Sequence, residues 1–345
     1  MDILLADDNL QNVWDDYVLD HPQGFAYHLY AWRRAVADGY GFPGLYLMAR
    51  DGAKVRGVLP MIEFRLPLLG RRLVSLPYCD AGGVLADDNT IARALVAEAG
   101  ERARQAGAGS ILMRQADFAA GNDAAPAAAK VLMELPLPDS AEQLLDGFRA
   151  KLRSQVRKPQ RDGLGARLGG AELLDLFYAV FARNMRDLGS PVHSAAWLRQ
   201  VLEAFGERAR VGLVQLPDGQ AVAAGIILFT RRRVSIPWAS SLREWNHLNP
   251  NMLLYWSLLA FAADNGFETF DFGRSTPDSG TYRFKAQWGA LPLPLRQRED
   301  RAGHEANGST RFASFGRRMA EAAWARLPLP ATTALGPKLR RYISL

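Results

Sequence analysis

The segment 270–290, FDFGRSTPDSGTYRFKAQWGA, holds three side chains suited to chemistry within one short stretch. Asp271 can accept the proton of an amine, Arg274 can clamp a phosphate or carboxylate, and the Lys285 ammonium is a mobile point charge. The same groups can also satisfy one another. Asp271 and Arg274 can form an ion pair holding loop 275–283, and Lys285 can pair with Asp271. In the first half, Tyr78, Asp80, Gly82 and Gly83 form a glycine-flanked turn after a strand, and His28 and Trp32 share a helix face four residues apart. Other chemistries fail on residue type. The five histidines (21, 28, 193, 247 and 304) are scattered without metal-binding spacing, so no metal site is expected. The single Cys79 excludes a disulfide framework and a Cys-rich zinc site. There is no G-x-S-x-G elbow, and GLG at 163–165 lies in a basic turn rather than after a strand, against a dinucleotide site. The DFG at 271–273 lacks the glycine-rich and HRD-type loops of a kinase.

What positions these residues follows from the whole chain. Its 345 residues amount to roughly two domains. Hydrophobic residues make up 48% and charged residues 23%, which excludes wholesale disorder. The longest apolar runs, 253–263 and 221–229, fall far short of the ~20 residues that span a bilayer. The N-terminal stretch MDILLADDNLQNVWDD has no basic segment leading into an apolar run, so the expected localisation is cytoplasmic. The net charge of +6 is uneven: 148–167 carries seven basic side chains and one acid, and 296–345 carries ten basic and four acidic. Both segments suit an anionic partner or a solvated helix face.

The chain repeats itself. DGAKVRGVLPMIEF (51–64) parallels DGQAVAAGIILF (218–229), RRLVSLPY (71–78) parallels RRRVSIPW (231–238), and 95–114 parallels 253–272. The offsets are 167 at Asp51/Asp218, 160 at Pro77/Pro237 and 159 at Gly107/Gly266. Each copy reads as helix (26–38; 171–187 and 194–205), strand (44–49; 210–215), Asp-Gly turn, and second strand (55–64; 222–230). A third strand (72–76; 233–237), a four-turn helix (90–106; 249–265) with Gly at its end, and a return strand (110–114; 269–272) follow. Asn249 and Pro250 read as cap and first residue of the later helix. That order predicts an α/β (α+β) fold: tandem modules, each a mixed, mostly antiparallel sheet flanked by helices. Between the copies, 140–163 reads as one helix with Leu144, Leu145, Phe148, Leu152 and Val156 inside and Lys151, Arg153, Arg157 and Lys158 outside, ended by Pro159 and Gly163. Residues 115–130 read as a loop, 310–327 as a basic amphipathic helix, and the rest as a Pro/Gly-punctuated tail. The expected division is 1–139, first module; 140–167, basic linking helix; 168–298, second module; 299–345, basic helix and tail.

The strand–helix order, with VSLPYCDAGG, KLRSQVRKPQRDGL, NMRDLGSPV and above all 270–290, resembles the double-GNAT architecture of FemAB-like aminoacyltransferases, in particular the FemAB-related proteins associated with exosortase and exopolysaccharide systems. The resemblance covers nearly the whole chain. It implies an N-acyl- or aminoacyltransferase acting on an amine of a cell-envelope or exopolysaccharide acceptor. The F-K-x-x-[FW]-G element is Phe284, Lys285, Trp288 and Gly289, and implies that Lys285 stabilises the oxyanion while Phe284 and Trp288 help place the donor. Asp271 would assist proton transfer, and Arg157 or Arg274 would hold an anionic acceptor. In GNAT folds one strand splays and offers N–H groups to the donor carbonyl; the resemblance puts it at 222–229, with Gly225 and Ile226 at the donor, though that run also reads as a buried core strand. Tyr78, Asp80 and Trp32 would contact the acceptor.

The donor is acyl-CoA or aminoacyl-tRNA, with no bound cofactor expected. The stretch SLREWNHLNPNMLL lacks the glycine-rich pyrophosphate loop of CoA-dependent relatives, against acetyl-CoA. The long helical arm of the tRNA-using enzymes is also missing, against tRNA. The basic segment 311–345 would touch an anionic inner leaflet or pack on the second module. Two alternatives stand beside the leading one: a non-catalytic binder of RNA or an acidic glycan, and an acyl-CoA N-acyltransferase for a small amine.

Overall fold

Asp-Gly turns reverse the chain at both expected places, with φ of +58° at Gly52 and +89° at Gly219, the left-handed region where glycine fits at least cost. The computed structural model describes residues 1–66, 70–116, 130–301 and 311–344; most of the loop expected at 115–130 lies outside them. The first half runs β1 (Asp2–Leu5), α1 (Gln11–Asp20), α2 (Tyr30–Tyr40), β2 (Gly44–Asp51), β3 (Lys54–Leu66), β4 (Gly70–Val74), a short β5 (Leu85–Ala86), α3 (Asn89–Gln105) and β6 (Ala108–Ala116). A linking region follows, with β7 (Lys130–Pro136), α4 (Ala141–Gly147) and α5 (Ala150–Arg161). The second half runs β8 (Gly165–Gly169), α6 (Leu174–Asp187), α7 (Ala195–Phe205), β9 (Ala209–Gln215), β10 (Ala221–Phe229), β11 (Arg233–Ser241), α8 (Pro250–Asp264), β12 (Thr269–Ser275) and α9 (Gly280–Ala286). Last come β13 (Leu291–Arg301), α10 (Arg311–Trp324) and α11 (Leu329–Arg340).

Among the described residues, the strands form one sheet in the order β1-β2-β3-β4-β6-β13-β7-β12-β11-β10-β9-β8, with β5 added on β3. The sheet is mixed and mostly antiparallel, as expected. Only β4/β6 and β11/β12 pair in parallel within it, apart from an isolated Gly82–Gln115 bridge. The repeat is therefore visible as two copies of one strand order, read inward from each edge. The copies exchange their last strands. β7 lies beside β12 and β13 beside β6, and the two exchanged strands pair with each other at the centre. One buried cluster accordingly draws on both halves, from Trp14, Trp32 and Tyr46 to Trp197, Phe205 and Trp238.

Four local expectations are corrected. The helix expected over 140–163 is two, because Phe148 and Arg149 are extended, with ψ of 147° and 148°. That break drives Phe148 edge-on against Trp256 and Trp288. Pro159 sits inside α5 instead of ending it, and Gly163 terminates the turn with φ +88°. The tail is not irregular. Residues 329–340 are helical, with Thr332 and Gly336 buried and Gly336 pressed on Val192, where a Cβ would come within 2.9 Å of backbone. Pro250 does begin α8, but Asn249 is left-handed at φ +54° and its side chain makes no cap.

Candidate active site

The parallel pair β11/β12 is ladder-bonded only at Arg233/Thr269, Val234/Phe270 and Ser235/Asp271. Two residues explain why it stops. Pro237 has no N–H to donate across the gap, and Gly273, at φ +75°, lets β12 bulge between Asp271 and Arg274. Beyond Ser235 the strands diverge, and β11 stays paired to β10 alone as far as Ser241. The Leu242 N–H donates to Val222 O on the β10 side at 2.9 Å. Alternation along an antiparallel strand then turns the N–H groups of Ala239 and Ser241 the other way, into the opening. The strand expected to splay, 222–229, is β10, and it is bonded on both sides. Gly225 sits between Gly212 and Ala239 and beneath Leu258 of α8, and Ile226 lies opposite Trp238. Neither lines the opening, so the splayed strand is β11.

A cavity of about 250 Å³ occupies this place, walled by Ser240 and Ser241 of β11, Asn251 and Tyr255 of α8, and Phe284 and Lys285 of α9. Asn184 of α6 closes one side, its amide donating to Ser240 Oγ at 3.0 Å. Lys285 is buried, and its Nζ donates to Gly273 O and Arg274 O, both at 2.9 Å. An ammonium has three donors, so one N–H remains for the cavity. Burial pushes the Lys285 ammonium down to about 8, against the pull of the Asp80 and Asp271 carboxylates. The alternative of a Lys285–Asp271 pair is thus replaced by lysine bonds to the backbone of β12. Nor does Asp271 pair with Arg274. Its Oδ1 accepts the Gly273 N–H at 2.8 Å, and its Oδ2 is buried with no partner among the described residues. Burial raises its carboxyl above the ordinary range. Arg274 turns to the first half, where Asp80 Oδ2 accepts its backbone N–H at 2.9 Å and Asp80 Oδ1 lies 3.5 Å from its Nε.

Of the remaining sequence candidates, Phe284 lines the cavity and meets Tyr255 edge-on at 5.0 Å. Trp288 is core behind it, packed on Phe148 at 5.5 Å. Arg157 stands on the exposed face of α5, away from the cavity lining. Trp32 is buried, parallel to Trp238, and donates to Pro77 O at 3.1 Å. Tyr78 is buried too. Asn184, Ser240, Ser241, Asn251 and Tyr255 were not singled out from the sequence; the one available signal was that VSIPWAS extends the repeated strand past Pro237.

The first half has the equivalent divergence of β4 and β6, and the chain fills it. Gly82 bridges to Gln115. The Arg114 guanidinium donates to Leu76 O at 2.7 Å and Ser344 O at 3.4 Å, and the Tyr78 N–H donates to Ser344 O at 2.9 Å.

Residues 146–286, which include this opening, match the family model of the acetyltransferase (GNAT) domain. The fold is that of GNAT acyltransferases. FemX superimposes with a TM-score of 0.67 at 16% identity, over 93% of this chain and 100% of that one. L-PGS from Bacillus licheniformis gives 0.54 at 14% identity over 99% and 98%. A tandem GNAT protein from the clavulanic acid biosynthesis pathway gives 0.50 at 15% over 86% and 97%. No curated protein matches the sequence. The GNAT-matching region contains β11, α8, β12 and Lys285, so the parallel strand divergence lies within it. Among the described residues, no helix is long and apolar enough to cross a membrane, and no cluster of three metal-ligating side chains exists.

Proposed function

We propose that the β11/β12 opening transfers an acyl or aminoacyl group to an amine. The observation that carries this reading is the convergence of three donors on one cavity: the N–H groups of Ala239 and Ser241 and the spare N–H of Lys285. The amine nitrogen attacks the donor carbonyl carbon and the carbonyl oxygen becomes an oxyanion, which those donors stabilise in a partly dry site. As the intermediate collapses, the bond to the leaving oxygen or sulfur breaks, the amine gives up a proton and the leaving group takes one. Asp271, fully buried and outside the cavity lining, would take part in that proton transfer through an intervening water.

The acceptor in this reading is an amine on a cell-envelope or exopolysaccharide component, held by the Arg274 side. Four exposed cations, Arg149 at the N-cap of α5 and Lys151, Arg157 and Arg161 within it, have no acidic partner among the described residues, which supports a donor bearing phosphates. Acyl-CoA and aminoacyl-tRNA both meet that requirement. The connection from β11 to α8 is a 3-10 stretch, Arg243–Leu248, without glycine, which favours the tRNA donor over acetyl-CoA. The test is donor binding and amide formation with acetyl-CoA, a longer acyl-CoA and charged tRNA at two salt concentrations, with Lys285→Ala as control. Product formation abolished in Lys285→Ala supports transfer. Salt-sensitive RNA binding without product from any donor would leave a binding protein.

A further inference from the structure

We infer that Asp80, on the turn after β4 in the first half, is a positioning residue for Lys285 in the second, acting through the backbone of Gly273 and Arg274. The inference rests on the transferase reading of the opening and changes the expected role of Asp80 from acceptor contact to alignment.

The two residues grip one peptide segment by different atoms. Lys285 Nζ takes the carbonyls of Gly273 and Arg274. Asp80 Oδ2 takes the Arg274 N–H. A Cβ built on Gly273 would stand 2.5 Å from Asp80 Oδ2, so the carboxylate lies hard against the strand where only glycine leaves room. The bulge that points two carbonyls at the lysine is therefore held from the other half of the molecule.

The turn that delivers Asp80 is itself strained and pinned. Leu76 and Tyr78 are left-handed, with φ of +59° and +65°, a conformation unfavourable for residues with a side chain that persists only where surroundings enforce it. The enforcing bonds come from Arg114 to Leu76 O, from Trp32 to Pro77 O, and from the Tyr78 N–H to Ser344 O beyond α11. The charges facing Lys285 are Asp80 from this turn and Asp271 and Arg274 from β12. Glu134 of β7 and Arg233 of β11 lie behind Asp271.

The test titrates the Lys285 ammonium by NMR of lysine-labelled, ligand-free protein, in wild type, Asp80→Asn and Asp80→Ala, alongside rate profiles against pH. Asp80→Asn keeps an acceptor for the Arg274 N–H but removes the charge. Its Lys285 midpoint should fall by about one pH unit, and the alkaline limb of kcat should fall with it, because loss of the ammonium ends oxyanion stabilisation. Asp80→Ala, which loses the acceptor as well, should lower kcat at least tenfold further, with acceptor KM within twofold in both. An unmoved midpoint in folded Asp80→Asn overturns the inference, as does a raised acceptor KM at unchanged kcat, which would make Asp80 an acceptor contact. If no variant, wild type included, forms product, the transferase reading fails while the NMR midpoint still decides whether Asp80 governs Lys285.

Discussion

Replacing Lys285 by Met tests both the burial of its charge and its role. Lys285 is 8% exposed, and its ammonium is pushed down to about 8 from an ordinary 10.5, mainly by desolvation. Between those values the unfolded chain binds the extra proton and the folded protein does not, so wild-type stability rises with pH across this window. Below pH 8 the folded state carries a penalty on the order of 3 kcal/mol for the buried charge. Met removes that penalty but leaves the carbonyls of Gly273 and Arg274 without the lysine, at about 1–3 kcal/mol each. The two effects oppose each other at pH 7. At pH 10 the wild type should have gained about 2.5 kcal/mol relative to Lys285→Met. Guanidinium unfolding at pH 7, 8, 9 and 10 measures this difference, in which all other titrating groups cancel. Steady-state kinetics on the same samples should show kcat lowered by about 10²–10³, the cost of losing one oxyanion donor. Stability curves that stay parallel within about 0.5 kcal/mol would refute the charged, desolvated lysine. A kcat within threefold of wild type would refute its catalytic role.

Gly273→Ala places a methyl 2.5 Å from Asp80 Oδ2 at φ +75°. Thermal unfolding should show it about 2–3 kcal/mol less stable, with activity down more than tenfold in the folded fraction. Asp271 has its carboxyl raised by burial, so its contribution to stability is complete below the unfolded carboxylate pKa and is lost as pH rises through the higher folded value. Asp271→Asn, which keeps an acceptor for the Gly273 N–H, should therefore be more stable than wild type at pH 7. In denaturant titrations the advantage should vanish near pH 4. Trp288→Ala should cost about 3–5 kcal/mol as a core cavity. Its donor KM should be unchanged wherever it folds, because Trp288 stands behind Phe284 and outside the cavity lining.

The repeated elements were legible because local signals agreed: Asp-Gly turns, a glycine after each long helix, and hydrophobic periods that switch between 2 and 3.6. The strands that escaped notice lacked those signals. β8 is GARLG, five residues with a glycine at each end and three of them exposed. β13 contains Pro292 and Pro294, which argue against a central strand. Its pairing shows why they are tolerated: residues 291–294 pair only with β7, 296–301 only with β6, and Leu295 alone with both, so each proline lies on a stretch with a free side. The opening lies one strand away from the run that the resemblance points to, for a related reason. AVAAGIILF is uniformly apolar because β10 is bonded on both edges and covered on both faces, whereas the cue for divergence was Pro237. The partners of Lys285 were unreadable in principle, since backbone carbonyls leave no mark in a sequence. The burial of Trp32 and Tyr78 is not written in their local sequence either, because it depends on aromatic contacts with Trp197 and Trp238 from the other half.

Two copies of one strand divergence create the same physical problem twice. Where parallel strands separate, the facing N–H groups lose their ladder partners, and buried backbone donors must find others. In the first half the chain supplies them from itself. The turn 76–83 enters the gap, Gly82 bridges to Gln115, and Ser344 arrives beyond α11 to take the Tyr78 N–H. In the second half no segment among the described residues enters, and the Ala239 and Ser241 N–H groups face a cavity. A carbonyl oxygen arriving there meets donors already oriented by the sheet, so no reorganisation is needed when its charge develops. The filled gap is not idle, because the turn that fills it ends in Asp80. One half thus keeps its divergence open, at the proposed site of transfer. The other closes its own divergence with the segment that holds the first half's carboxylate against β12, and the exchanged strands β7 and β13 fix the two halves in the one sheet that this contact requires.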